Sequence, residues 1–260
     1  MSSTTTNGGQ QLNYVDHGGD GPVVLMLHAY LMDTDMFAPQ VAALGGDFRL
    51  IAMDERGHGG SPTDATFDYW DVARDALALL DHLGIERAAI IGTSQGGFVA
   101  MRAALLAPGR ITALAVLGTS AAVEDPDVAT AYRGFADLWE AQGPVDALLD
   151  VNAAICLGET DASAWKDKWR TVPAARLKNN LETLVGRDDL LARLGEIRAP
   201  ILVLHGSKDA AYPVARAEEI VAGAPNAEPL VVVEGGAHFL SLTDADAVNP
   251  HLATFLGKLP

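Results

Sequence analysis

The sequence predicts an α/β protein: an eight-stranded, mostly parallel sheet flanked by helices, with one helical insertion. Three observations carry this. Short apolar runs at 23–27, 48–53, 88–91 and 111–117 alternate with segments of helical periodicity, the signature of β-α-β units. From about 121 to 197 the alternation stops and only helical spacing remains. At Pro200 it resumes, with strand-like runs at 201–204 and 229–233.

Taken in order, residues 2–6 and 11–16 flank Asn7-Gly8-Gly9, a hairpin-turn sequence. The loop His17-Gly18-Gly19-Asp20-Gly21-Pro22 leads to the run 23–27, a buried strand ending at His28-Ala29-Tyr30-Leu31. A short helix covers 36–44. The strand at 48–53 ends in the glycine-rich loop Asp54-Glu55-Arg56-Gly57-His58-Gly59-Gly60-Ser61. A helix at 69–83 puts Val72, Ala76, Leu79 and Leu83 on one face, and Gly84 closes it. The strand at 88–91 turns sharply at Ser94 into a helix marked by Phe98, Met101 and Leu105, which Pro108-Gly109 ends. A further strand covers 111–117.

In the insertion, Val128, Tyr132, Phe135, Leu138 and Trp139 lie at helical spacing, as do Val145, Leu148, Leu149 and Ile155. Segments 176–184 and 190–194 are also helix-like. After the strand at 201–204 comes His205-Gly206-Ser207-Lys208-Asp209, then a helix at 214–222 opened by Pro213. The strand at 229–233 ends in Glu234-Gly235-Gly236-Ala237-His238, and Val248, Leu252, Phe255 and Leu256 mark the last helix. The expected organisation is a core domain of 1–120 and 198–260 with a helical cap of 121–197.

Composition narrows the partners. The net charge of −16 disfavours nucleic acid and anionic membrane surfaces. No run is long enough to span a bilayer, and residues 1–6 carry no leader pattern. Cys156 is the single cysteine, so no intrachain disulfide is possible and a cytoplasmic location is expected. It reads as a small buried apolar residue. No metal-ligand spacing or phosphate loop occurs, so neither metal nor cofactor is expected. Nothing in the sequence sets the oligomeric state.

Chemistry concentrates at strand ends, where open parallel sheets bind ligands. Those ends carry His28, Asp54, Ser94, Gly118, Asp209 and His238. Gly92, Ser94 and Gly96 fit G-x-S-x-G between strand and helix, a turn so tight that larger side chains beside the serine would meet neighbouring backbone. Serine is a weak nucleophile until a base takes its proton, and the base needs an acid to orient it. Ser94, Asp209 and His238 supply that set, in the order Ser, Asp, His.

On these motifs the chain resembles the α/β-hydrolase fold family over nearly its whole length. The matching segments are His28-Ala29-Tyr30, the loop with Asp54, Arg56, Gly57, Gly59 and Ser61, the Ser94 turn, Gly206-Asp209-Pro213, and Gly236-His238. The resemblance implies a catalytic triad of Ser94, Asp209 and His238. Some relatives carry the acid after the sixth strand, where this chain has no carboxylate before Glu124 and Asp125, so Asp209 is preferred. It also implies an oxyanion hole from the backbone N–H groups of Tyr30 and Gln95. Relatives usually have His-Gly where this chain has His28-Ala29. His28 and His205 read as structural, as do Asp54, Arg56 and His58; His17, His82 and His251 read as surface residues.

The cap should cover the site and line an apolar pocket, with Tyr30, Tyr132, Trp139, Leu149, Trp165 and Trp169 as its expected lining. The implied activity is hydrolysis of a hydrophobic carboxylic ester or lactone by water, with no cofactor; length and small cap are similar to those of enol-lactone hydrolases. A large lactone such as zearalenone belongs on the substrate panel. Carbon–carbon bond hydrolases of the meta-cleavage type, cofactor-free haloperoxidases (perhydrolases) and hydrolase-fold ligand receptors share this pattern.

Overall fold

The central strands are apolar on both faces, as a parallel sheet covered on both sides requires. The computed structural model describes residues 2–6 and 8–259; Asn7 of the expected hairpin turn lies outside them. Its strands are β1 (Ser2–Thr5), β2 (Gln11–Asp16), β3 (Val23–Leu27), β4 (Arg49–Met53), β5 (Ala88–Thr93), β6 (Ile111–Leu117), β7 (Ile201–Gly206) and β8 (Val231–Val233). They form one eight-stranded sheet of order β1-β2-β4-β3-β5-β6-β7-β8. The pairings of β2 with β1 and with β4 are antiparallel, and every other neighbouring pair is parallel.

The register makes a level rim at the carboxyl ends. Leu27 lies opposite both Met53 and Gly92, Thr93 opposite Leu117, and Leu117 opposite Leu204. Chain leaving this rim carries His28, Asp54, Ser94, Gly118 and Asp209. β8 is shorter than the expected 229–233. Only its last three residues pair, against Leu204 to Gly206, and Pro229 has no N–H to give a ladder.

The helices are α1 (Ala38–Leu44), α2 (Tyr69–His82), α3 (Gln95–Leu106), α4 (Pro126–Gln142), α5 (Asp146–Leu157), α6 (Ser163–Trp169), α7 (Ala174–Val185), α8 (Ala215–Gly223), α9 (Leu240–Thr243) and α10 (Ala245–Leu256). Local chemistry explains their starts. Asp68 and Asp71 form a reciprocal capping box on α2, each side chain accepting from the other's backbone N–H. Asp125 caps α4, and Pro126 opens it at a position where no N–H is missed. α3 is buried along almost its full length, as expected of a helix enclosed by sheet and neighbouring helices.

Four helices, α4 to α7, intervene between the adjacent strands β6 and β7. Of these, α6 has no counterpart in the sequence reading. It is a single seven-residue segment whose only fully buried side chain is Trp169, so it shows no apolar period. Trp169 nevertheless ties α6 to the β3 loop, its Nε1–H donating to Leu31 O at 2.9 Å. Lys168 adds ion pairs to Asp33 and Asp35. Among the described residues, no helix is long and apolar enough to cross a membrane.

Candidate active site

Ser94 sits between β5 and α3 with φ 53° and ψ −115°. That conformation costs a non-glycine residue about 1–3 kcal/mol and persists only where its surroundings impose it. Here they do. Ser94 N–H donates to Leu117 O at 2.8 Å, and Ser94 O accepts from Gly97 N–H at 2.9 Å and from the Thr119 hydroxyl at 2.7 Å. A Cβ on Gly92 would strike the main chain of Gly96, and one on Gly96 would strike Leu27 O. Both glycines are therefore required by close backbone approach.

The rim brings Ser94, His238 and Asp209 together. Ser94 Oγ lies 2.9 Å from His238 Nε2, and His238 Nδ1 lies 2.8 Å from Asp209 Oδ2. A carboxylate only accepts, so Nδ1 carries the proton, and Nε2 is left to accept from the serine hydroxyl. All three side chains are buried. Asp209 Oδ1 accepts the backbone N–H groups of Ala211 and Tyr212, each at 2.8 Å. Burial pushes the Asp209 carboxyl up, but His238, the Tyr212 N–H and His205 outweigh it and hold the group below its usual range. His205, fully buried, directs Nε2 at both Tyr212 O (3.0 Å) and Asp209 Oδ2 (3.3 Å). Asp209 therefore bridges two histidines.

Glu124, a carboxylate downstream of β6, is engaged elsewhere. It forms a buried ion pair with Arg187 at 2.8 Å and accepts the Tyr212 hydroxyl at 2.9 Å. The Arg187 guanidinium also stacks 4.4 Å from the Phe98 ring centroid. This cluster joins the start of α4 to the chain leaving α7 and to the loop after β7.

Neither Tyr30 N–H nor Gln95 N–H takes an acceptor among the described residues. The β3 loop makes its left-handed turn at Leu31, φ 60°, and not at Ala29. Alanine at position 29 therefore carries no positive-φ strain. Behind this loop, His28 donates Nδ1–H to Ala29 O at 2.8 Å and accepts Glu55 N–H on Nε2 at 2.9 Å.

A cavity of about 190 Å³ opens directly over Ser94 and His238. Of the expected lining residues, Tyr30 and Tyr132 reach it. Trp139, Leu149, Trp165 and Trp169 do not. Trp139, Leu149 and Trp169 are buried in the protein core. Trp165 is half-buried beneath the Lys168 ammonium, 4.5 Å away. Sequence reading missed Phe135, Ile155, Cys156, Leu181, Tyr212 and Phe239, which line the cavity instead. The α5 signal was available, since Val151, Asn152, Ile155 and Cys156 fall on one helical face. No Asp, Glu, Lys or Arg side chain is among the lining residues. The Tyr30 and Tyr212 hydroxyls are already committed to Leu177 O and Glu124. Burial pushes the Cys156 thiol up, so it stays protonated and faces Asn152 Oδ1.

Known proteins are similar to this chain in sequence and fold. Residues 22–155 match the family model described as alpha/beta hydrolase fold, and residues 183–260 match one described as TAP-like protein. The chain is 32% identical to the dihydrolipoyllysine-residue acetyltransferase component of the acetoin cleaving system of Pseudomonas putida, covering 96% of this chain and 68% of that protein. It is 29% identical to the pimeloyl-[acyl-carrier protein] methyl ester esterase of Xanthomonas campestris, covering 95% of this chain and 100% of that one. Among solved structures, the enol-lactonase of Burkholderia xenovorans superposes with a TM-score of 0.90 at 26% identity, covering 99% of this chain and 100% of that chain. With its sheet order, its serine turn and these matches, the chain belongs to the α/β-hydrolase fold family.

Proposed function

We propose that this hydrolase cleaves the carboxylic ester or lactone of a hydrophobic substrate through an acyl-enzyme on Ser94. The observation that carries the reading is the hydrogen-bonded series Ser94–His238–Asp209, at 2.9 and 2.8 Å, on the floor of an apolar cavity. The similarity to an esterase and an enol-lactonase supports the same bond type.

Ser94 Oγ attacks the substrate carbonyl as His238 Nε2 takes its proton. The tetrahedral oxyanion is received by the Tyr30 and Gln95 N–H groups. Protonated His238 then gives its proton to the leaving alkoxide, which departs as the alcohol or, from a lactone, stays attached as a hydroxyl. Water gives a proton to His238 and attacks the acyl carbon, and His238 passes that proton to Ser94 Oγ as the acid leaves, restoring the serine. Asp209 stays ionised throughout, fixing the tautomer and balancing the imidazolium. Helices α4 to α7 act as a cap over this centre. Tyr132 and Phe135 of α4 and Ile155 of α5 meet the apolar part of the substrate, whose burial contributes roughly 25 cal/mol per Å².

Steady-state hydrolysis of a 4-nitrophenyl acyl ester tests the reading. Replacing Ser94 by alanine is expected to lower kcat more than about a thousandfold. Turnover that survives in Ser94→Ala contradicts it.

A further inference from the structure

The two backbone donors of the proposed oxyanion hole lie on different segments, the β3 loop and the start of α3. One buried residue bonds to both. Glu55, in the loop after β4, donates its backbone N–H to His28 Nε2 at 2.9 Å, and His28 in turn holds Ala29 O, one residue before Tyr30. The Glu55 carboxyl Oε2 accepts Gln95 Nε2 at 2.8 Å. The other end of the Gln95 side chain, Oε1, accepts the Tyr69 hydroxyl at 3.3 Å. Every member of this series is buried, and Glu55 itself is only 1% exposed. Its second oxygen, Oε1, has no partner among the described residues.

A buried carboxyl is expensive to keep, and a fold that needed only packing here would carry an apolar side chain. We propose that Glu55 is a positioning residue that sets the Tyr30 and Gln95 N–H groups at a common spacing, so that both reach one oxyanion. The inference rests on the serine-hydrolase reading above. Glu55 does not touch substrate. It acts by fixing Gln95 from its side chain and the β3 loop through His28. Burial pushes the Glu55 carboxyl well above its usual range, which favours the neutral form, the one an amide resembles in shape and charge.

An oxyanion contact is made in the transition state and not in substrate binding, so its loosening lowers kcat and leaves KM in place. The test is steady-state kinetics on a 4-nitrophenyl acyl ester with wild type, Glu55→Gln, Glu55→Met, Gln95→Met, the double Met variant and Ser94→Ala. Displacing a donor without removing it is expected to lower kcat roughly ten- to a hundredfold in Glu55→Met and in Gln95→Met, with KM within about threefold. The double variant should be no worse than the poorer single, because both break one link. Glu55→Gln keeps an acceptor for Gln95 Nε2 and should retain kcat within about threefold.

Should Glu55→Met fail to fold, Gln95→Met and Glu55→Gln still decide. Unchanged kcat in a folded Met variant, a KM effect alone, or Glu55→Gln as impaired as Gln95→Met overturns the inference while Ser94→Ala remains inactive. Turnover persisting in Ser94→Ala overturns the underlying reading, and this inference with it.

Discussion

Ser94 holds a backbone conformation that serine avoids, and two glycines make room for it. Gly96 shows which effect governs. It lies within α3, where alanine is favoured over glycine by about 1 kcal/mol on helix propensity. A Cβ there would stand 2.6 Å from Leu27 C and 2.9 Å from His28 O, both main-chain atoms. Overpacking of that kind costs about 1–3 kcal/mol or more, so the clash outweighs the propensity. Gly96→Ala is therefore expected to be less stable in urea titration, despite sitting in a helix. Its aryl-ester kcat should fall as well, because relief of the clash moves the β3 loop away from the turn. Stability equal to or above wild type would contradict the close approach. This residue was legible in advance because a tight strand-to-helix turn has one solution for side-chain size. Glu55 was not. A single carboxylate in a polar, glycine-rich loop reads as solvated until three-dimensional packing brings Gln95 against it.

At the scale of elements, the parallel core was legible because its signals are local. Apolar runs bounded by glycine and proline fall at β3, β4, β5, β6 and β7 within a residue or two of their observed bounds. The helices between β6 and β7 were legible as helices, but their faces were not. Trp139 is four residues beyond Phe135 on α4 and shares its face. Yet the cavity meets only the earlier turns, at Tyr132 and Phe135. One turn further, the same face is covered by the chain before α7, with Trp139 Nε1 directed at Val172 O. Spacing gives the direction of a side chain and not what lies opposite it. The sequence could not show which apolar face meets cavity and which meets protein. For the same reason the Glu124–Arg187 ion pair was invisible, since its partners are 63 residues apart and both look solvent-facing. Removing one partner from such a buried pair typically costs about 3–5 kcal/mol, which makes the cluster an anchor for both ends of the insertion.

Across the whole molecule, buried ionisable groups set the response to pH. His28 and His58 pack with ring centroids 5.1 Å apart, and burial lowers both below the usual histidine value of 6.5. Their folded values are depressed, so the stability tied to their neutral forms is present above pH 6.5 and is lost as pH falls toward the folded values. Glu55 has the opposite sign. Its folded value is raised, so its contribution is full below the usual 4.5 and declines as pH rises from there. The net charge of −16 adds repulsion between surface groups, which salt near 0.15 M screens over about 8 Å. In such salt, the histidines lower the melting temperature from pH 7 to pH 5 while Glu55 raises it, so Glu55→Gln, which lacks the opposing contribution, should show the steeper fall over that range. Glu55→Gln should gain on wild type as pH rises from 5 to 9. A flat acid-side profile in Glu55→Gln, or Glu55→Gln losing ground at alkaline pH, contradicts these assignments.

The central claim is that Ser94 Oγ is the nucleophile, activated by His238 and Asp209. The most direct measurement is covalent labelling with a fluorophosphonate, in which Ser94 Oγ would displace fluoride while His238 takes the hydroxyl proton. Mass spectrometry of the digested protein should find a single phosphonyl adduct, on the peptide carrying Ser94. It should be absent in Ser94→Ala and formed far more slowly in His238→Gln. An adduct on another residue, or a wild-type protein that hydrolyses aryl esters yet leaves Ser94 unlabelled, would contradict the account.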